Sequence, residues 1–287
     1  MDLQALLAER VLVADGAMGT ELLRLGASIG RPCDLLNLER PDWVAQVHRS
    51  YVDAGSDLIL TNTFGASSIN FQRRGIGVDA REVNLAGAKI ARDCADAGVL
   101  VGGDVGPCGV TFKKAEADAM QATFAGQAQA LADGGVDLIV LETFFDLQEA
   151  LSALAGALTT GLPVIASMTF GVKGGKVATL KGDPAGDCAR ALAATGAAAV
   201  GANCTVTVDD MPAIARALAE ATALPLMLQP NAGQPRREGD RFVYDETPEH
   251  FADGVAALLT TGARIVGGCC GTDASFIGAL RLRVDEK

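Results

Sequence analysis

Eight short apolar runs recur along the chain, each bounded by glycine, proline or polar residues. They are Val11-Ala14, Leu58-Leu60, Val99-Val101, Leu138-Leu141, Val164-Ala166, Ala198-Val200, Leu226-Leu228 and Ile265-Val266. None alternates strictly between apolar and polar residues, as expected of parallel strands buried on both faces. Helix-period segments lie between most of them. Val44, Val47, Tyr51 and Val52 form one apolar stripe, opened by Pro41 and closed by Gly55, the start and stop residues of a helix. Leu147, Leu151, Leu154 and Leu158 make a second stripe, Met211, Ile214, Ala215 and Leu218 a third, and Phe251, Val255, Leu258 and Leu259 a fourth. Eight strand-helix units predict an α/β chain folded as a (β/α)8 TIM barrel, a single domain over residues 1–287. An open doubly wound sheet is the runner-up, but it usually needs fewer strands and a glycine-rich first turn. The turn-rich stretch from Phe170 to Asp187 reads as a hairpin excursion after the fifth run, with Lys173-Gly174-Gly175-Lys176 at its tip.

Barrel chemistry belongs to the C-terminal ends of the strands and the loops that follow. In order, those ends read Asp15-Gly16-Ala17-Met18-Gly19-Thr20, Thr61-Asn62-Thr63-Phe64-Gly65, Gly103-Asp104-Val105-Gly106-Pro107 and Glu142-Thr143-Phe144. Then come Met168-Thr169-Phe170, Asn203-Cys204, Gln229-Pro230-Asn231-Ala232-Gly233 and Gly268-Cys269-Cys270-Gly271. Every polar side chain of interest falls on one rim.

The cysteines carry the sharpest chemical signal. Neighbouring residues on a regular strand point to opposite faces, so Cys269 and Cys270 can grip one ion only where the strand ends. Gly267, Gly268 and Gly271 relax the backbone there. With Cys204 at another strand end, three thiolates with room for one more ligand describe a catalytic zinc, because closed structural sites use four protein ligands. A vicinal disulfide or a pair of buried thiols is the bland alternative. Cys33, Cys94, Cys108 and Cys188 read as packing or surface residues, and His48 and His250 lie in or beside helices, away from the rim.

Composition excludes several partner classes. The 49% hydrophobic content is ample for a sizeable core, and the net charge of −11 argues against a nucleic-acid or anionic-membrane partner. The N-terminus lacks the plan of a signal peptide, and no apolar stretch approaches the roughly 18 residues that span a bilayer. Seven cysteines, an odd count in a chain too large to need staples, fit a reducing cytoplasm.

Seven stretches carry a family resemblance: DGAMGTEL from Asp15, VHRSYVDAGSDLILTNTFGA from Val47, GDVGP from Gly103, LETF from Leu141, ANC at 202 to 204, QPNAG from Gln229 and GGCCGT from Gly267. On these the chain resembles the homocysteine S-methyltransferase family, and within it the homocysteine-binding module of cobalamin-dependent methionine synthases. The resemblance covers essentially the whole chain, and GGCCG with the distant Asn-Cys is its specific part. It implies zinc ligands at Cys204, Cys269 and Cys270, with Asn231 completing the shell before substrate arrives. It also implies that Glu142 pairs with the ammonium of homocysteine and that Asp15 lies beside the substrate's amino-acid end. The backbone from Gly16 through Ala17 to Gly19, with Thr20, suits the carboxylate, as an anion-binding turn near a helix start does. Asn62 borders this substrate-binding set, although it and Asp104 read rather as groups that fix loops.

The implied activity is zinc-dependent methyl transfer to homocysteine, giving methionine. The cobalamin-dependent members append folate, cobalamin and reactivation modules, none of which fits into 287 residues. The methyl donor is therefore expected to be methylcobalamin on a corrinoid-carrying protein acting in trans, unless the chain is a fragment. Betaine or S-methylmethionine is the alternative donor, and a non-catalytic thiol- or zinc-binding subunit is the alternative role. Betaine is the weaker choice, since aromatics are only 5% and no segment offers a cation–π cage. One departure stands out: Lys181 occupies a place where the family usually has a small hydroxyl residue. It reads either as a solvated loop lysine or as a rim residue bearing on donor choice.

Overall fold

All eight expected strands form, and they close. The computed structural model describes residues 2–238 and 241–287. Its twelve strands, in chain order, are β1 (Leu12–Val13), β2 (Leu58–Leu60), β3 (Leu100–Val105), β4 (Leu138–Phe144), β5 (Val164–Met168), β6 (Gly171–Lys173), β7 (Lys176–Ala178), β8 (Ala199–Asn203), β9 (Leu226–Gln229), β10 (Arg236–Glu238), β11 (Arg241–Val243) and β12 (Ala263–Val266). Eight of them build one sheet in the order β1-β12-β9-β8-β5-β4-β3-β2. Its pairings are all parallel, and a parallel bridge between Ala14 and Leu58 joins β1 to β2 and closes the barrel. The chain is a (β/α)8 TIM barrel. The β6–β7 hairpin occupies the expected place with Gly174 and Gly175 at its tip, both at positive φ. A second antiparallel hairpin, β10–β11, follows β9 and was not expected from the sequence.

Two apolar layers hold the barrel, and strand alternation assigns each residue to one of them. Leu12, Leu58, Leu60, Leu138, Val140, Ile165, Ala199, Met227 and Ile265 cluster inside the barrel. Val13, Ile59, Ile139, Leu141, Val164, Ala166, Val200, Leu226, Leu228 and Val266 face outward into the helix layer. The helix Leu3–Glu9 stoppers the lower end, capped by Asp2, which accepts from Ala5 N at 3.1 Å, and its Leu3 and Leu7 join the inner cluster. The helix Pro41–Asp53 starts on its proline and buries Val44, Val47, His48 and Tyr51. Asp146 caps the helix Leu147–Leu158 by accepting from Gln148 N at 3.0 Å and Glu149 N at 3.4 Å.

His48 is fully buried, and neither ring nitrogen has a hydrogen-bond partner among the described residues. Burial pulls its pKa from the ordinary 6.5 down to about 4. The unfolded chain then binds a proton that the folded chain refuses, so stability falls as pH drops from 6.5 through 4. The full loss is about 3 kcal/mol. His48→Leu should flatten that limb: urea midpoints measured at pH 7 and pH 5 should converge in the variant relative to the wild type.

Candidate active site

The barrel's own alternation builds the site. Each strand places one residue inside the barrel and the next outside, so the inner residue two places above the apolar layer lies at the upper mouth. On β3, β4, β5, β8 and β9 those residues are Asp104, Glu142, Ser167, Asn203 and Gln229. The inner wall therefore changes from apolar to polar within one layer, and Asp104, Glu142 and Gln229 of that layer line a cavity of ≈ 630 Å³. Asp15, Asp104, Glu142, Cys204, Cys269 and Cys270 line its inner end, and Arg31, Phe64, Arg73 and Arg74 line its outer end.

The three cysteines meet there. Their sulfurs lie within 4.8 Å of one another and could hold a metal ion, with 3.8 Å between Cys204 Sγ and Cys270 Sγ. All three are free thiols, which removes the vicinal disulfide from consideration. Donation from the Cys269 and Cys270 thiols, helped by the Asn231 amide, pulls the Cys204 thiol down to about 3. The two donors pay the opposite shift: Cys269 moves well up and Cys270 to about 12. One negative charge is thus shared by three sulfurs, and each further deprotonation works against it. Asn231 Oδ1 is buried with no hydrogen-bond partner among the described residues. Thiolate sulfur with one carboxamide oxygen is a donor set that a zinc-like cation fits.

Asn203 fixes this geometry. Its Oδ1 accepts from Thr143 N at 2.9 Å and Ser167 Oγ at 2.8 Å. Its Nδ2 donates to Thr143 Oγ1 at 2.7 Å and Glu142 Oε2 at 3.3 Å, and approaches Cys269 Sγ at 3.9 Å. One carboxamide thereby ties the ends of four strands together. Thr143, Cys204 and Thr205 adopt φ of 62°, 59° and 57°. Each left-handed non-glycine residue costs on the order of 1 kcal/mol. The hydrogen bonds of Asn203 hold Thr143, Cys204 N donates to Gln229 O at 3.1 Å, and Thr205 Oγ1 lies 2.6 Å from Thr169 Oγ1. These turns aim Glu142 and Cys204 into the same cavity.

Three carboxyls line the same cavity as the thiols. Asp15 Oδ2 accepts from Leu60 N at 2.8 Å, while its Oδ1 and Asp104 Oδ1 are buried without hydrogen-bond partners among the described residues. Burial, then the neighbouring Glu142, holds Asp15 and Asp104 well above the carboxylate range. Glu142 rises to about 8 through burial and the charge on Cys204. The cavity's inner end thus collects acidic groups and unpaired acceptors, so it favours a ligand that brings positive charge and N–H donors.

The remaining expected residues fall around this centre. Gly16, Ala17, Gly19 and Thr20 all line the cavity. Ala17 N already donates to Thr272 Oγ1 at 3.2 Å, and Gly271 N donates to Thr20 Oγ1 at 3.2 Å, so part of this turn is spent on the barrel itself. Asn62 lines the cavity too, yet its Nδ2 is used by Cys33 O at 2.8 Å and Asn37 Oδ1 at 3.0 Å. Cys94, Cys108 and Cys188 are buried, whereas Cys33 borders the cavity's outer end. His250 lies on the surface against Glu246 at 2.8 Å. Lys181 reaches Asp146 at 3.9 Å, on the loop that follows the β6–β7 hairpin. Sequence reasoning missed the roles of Asn203 and Ser167, and those of Tyr51 and Thr272. Tyr51 looked like helix packing, but its hydroxyl donates to Ala17 O at 3.1 Å and Thr272 O at 3.2 Å, bracing the first loop against the last.

Comparison with known proteins agrees with this arrangement. The family model described as homocysteine S-methyltransferase matches residues 12–284. The methionine synthase of Mycobacterium tuberculosis is 32% identical over 96% of the chain, and that of Mycobacterium leprae is 33% identical over 96%. The chain spans about a quarter of the length of these relatives, 25% and 24%. Among solved structures, the metallated form of the homocysteine methyltransferase MmuM from Escherichia coli superposes with a TM-score of 0.81 at 27% identity, covering 98% of this chain and 99% of that one. With its barrel, its rim of polar strand ends and its three converging thiols, this chain belongs to the homocysteine S-methyltransferase family.

Proposed function

We propose that the chain methylates the sulfur of homocysteine to give methionine, with zinc held by Cys204, Cys269, Cys270 and, before substrate arrives, Asn231. What carries this reading is the meeting of three thiols and three carboxyls, two of them buried, in one cavity. Homocysteine offers what each group lacks: a sulfur for the thiol cluster and an ammonium for the acids. When bound, zinc supplies the positive charge that keeps a substrate thiol ionised at neutral pH, below the roughly 8.5 of a free thiol.

The chain's own residues do the rest. Glu142 and Asp15 take the ammonium, and the backbone of the Gly16–Thr20 turn takes the carboxylate. Asn203 holds Glu142 at a set distance from the sulfurs. Fixing both ends of the amino acid aims the sulfur lone pair out of the cavity, toward an incoming donor. The carbon–sulfur bond forms in line as the bond between methyl and donor breaks, and the donor leaves with that electron pair.

The donor proposed is a methylcorrinoid presented in trans by a partner protein, in keeping with the likeness to methionine synthases. A second reading has betaine or S-methylmethionine as donor and no corrinoid carrier; the match to nearly the whole length of MmuM, a homocysteine methyltransferase, is in keeping with a barrel of this size acting by itself. The test is methionine formation by the zinc-loaded protein from homocysteine, offered methylcobalamin, betaine or S-methylmethionine separately. Methylcobalamin is expected to support turnover. Turnover with betaine or S-methylmethionine alone would select the second reading, and none with any donor would overturn the assigned acceptor chemistry.

A further inference from the structure

The cavity that holds the thiols has a neighbour. A second cavity of ≈ 570 Å³ is lined by the helix Ser68–Arg73 and the loop after β3, and it shares Arg73 and Gly109 with the first. Arg73 therefore stands in a wall common to both. Its guanidinium is held in place: Nη2 donates to Asn70 Oδ1 at 2.9 Å, and Asn70 is itself fixed by donating to Gly65 O at 2.8 Å. The guanidinium also lies against bare backbone, since a Cβ on Gly109 would fall 2.9 Å from Arg73 Nη2 and 3.3 Å from its Cζ. No carboxylate pairs with Arg73 among the described residues, although the chain carries a net charge of −11. The cations around it are engaged elsewhere: Arg31 with Glu39, Lys113 with Glu116 at 3.1 Å, and Arg74 with Gly30 O at 2.7 Å. Asn70 uses one N–H of the Arg73 fork, which leaves most of its donors for a ligand.

We propose that Arg73, in the wall between the two cavities, binds an anionic group of the methyl donor, a carboxylate or a phosphate. This rests on the proposed reading of the thiol end as the place where the methyl group is accepted. Charge along the first cavity runs from acids at its inner end to a guanidinium at its outer end. That polarity complements a dipolar donor, one whose methyl-bearing centre is positive and whose negative group is held away from it. A planar guanidinium fork meets carboxylate or phosphate oxygens two at a time, so it orients the donor as well as attracting it. Orientation is what an in-line transfer needs. The bond from sulfur to methyl forms, the bond from methyl to the donor atom breaks, and that atom keeps the electron pair and loses one positive charge. The second cavity gives the rest of a larger donor room beyond Arg73.

The test compares wild type, Arg73→Gln and Arg73→Lys as zinc-loaded full chains. Glutamine keeps an N–H for Asn70 and removes the charge; lysine restores the charge without the fork. Donors are offered in pairs, the second member lacking the anion: S-methylmethionine and trimethylsulfonium, betaine and tetramethylammonium, methylcobalamin and methylcobinamide. Arg73→Gln should raise the KM of an anionic donor about 10-fold, the range of a hydrogen bond to a charged group. It should leave the KM of homocysteine and the use of the anion-free partner unchanged, and Arg73→Lys should recover part of the loss. The pair that responds tells a carboxylate from a phosphodiester. Equal losses with both members of every pair, or no change with any, would overturn the proposal. Calorimetric titration of the same donors reads Arg73 without turnover. Donor binding weakened by Arg73→Gln in a protein that forms no methionine would support the anion site and overturn the acceptor reading alone. Wild-type protein that binds none of these donors would overturn the proposal.

Discussion

Cys204→Ala is expected to lose metal binding and methionine formation together, with activity falling by at least roughly three orders of magnitude, or ~4 kcal/mol. Cys204 is the thiol that ionises first, and Cys269 and Cys270 are hydrogen-bonded to it. Without it two neutral thiols remain, and two sulfurs cannot hold zinc against water as three can. The fold should survive. Cys204 lies at the end of β8 rather than in either apolar layer, and its φ of 59° favours alanine little less than cysteine. Metal content measured on purified protein, beside circular dichroism and methyl-transfer assays, separates the two. Full activity with two cysteines would sink the mechanism.

Glu142→Gln is expected to raise the KM for homocysteine about 100-fold, the ~3 kcal/mol typical of truncating one member of a buried charge pair. Glutamine keeps the volume and can still meet Asn203, so the loss reports the charge. The companion measurement uses 4-mercaptobutyrate, which is homocysteine without its amino group. Wild type and variant should handle that acceptor alike, and a difference as large as that seen with homocysteine would remove Glu142 from the ammonium. Stability should move the other way. The pKa of Glu142 is raised in the folded chain, so its carboxyl stabilises the fold at low pH and costs stability as pH rises from 4.5 through about 8. The ligand-free variant should therefore melt above the wild type at pH 8. A site that gains stability when its charge is removed is one arranged for a ligand rather than for the fold.

Much of this architecture was legible in the residues. Each of the eight apolar runs became a strand, because parallel strands buried on both faces must be apolar on both. The strands reach further than the runs: β3 continues to Val105, β4 to Phe144 and β8 to Asn203. Those added residues include Asp104, Glu142 and Asn203, whose polarity hides strand character. Their membership comes from ladder partners on neighbouring strands, Asp104 with Val140 and Asn203 with Gln229. The β10–β11 hairpin was missed for a related reason, since Arg236-Arg237-Glu238 carries no apolar pattern and its ladder partner is the adjacent β11 rather than a barrel strand.

By itself, the sequence determined the barrel, the rim on which chemistry lies and the three thiols, because strand periodicity and metal-ligand chemistry are properties of residue type and local spacing. Only the tertiary structure decided how those groups act on one another. Closure of the sheet at Ala14 and Leu58 brings β1 and β2 into register with the rest. It thereby sets Glu142 close enough to Asp15 and Asp104 to add to the rise that burial gives both carboxyls. The choice of Asn203 as the tie between strands has the same origin. Charge interaction and hydrogen bonding fall off within a few ångströms, and such distances between residues tens of positions apart exist only once the chain has closed on itself.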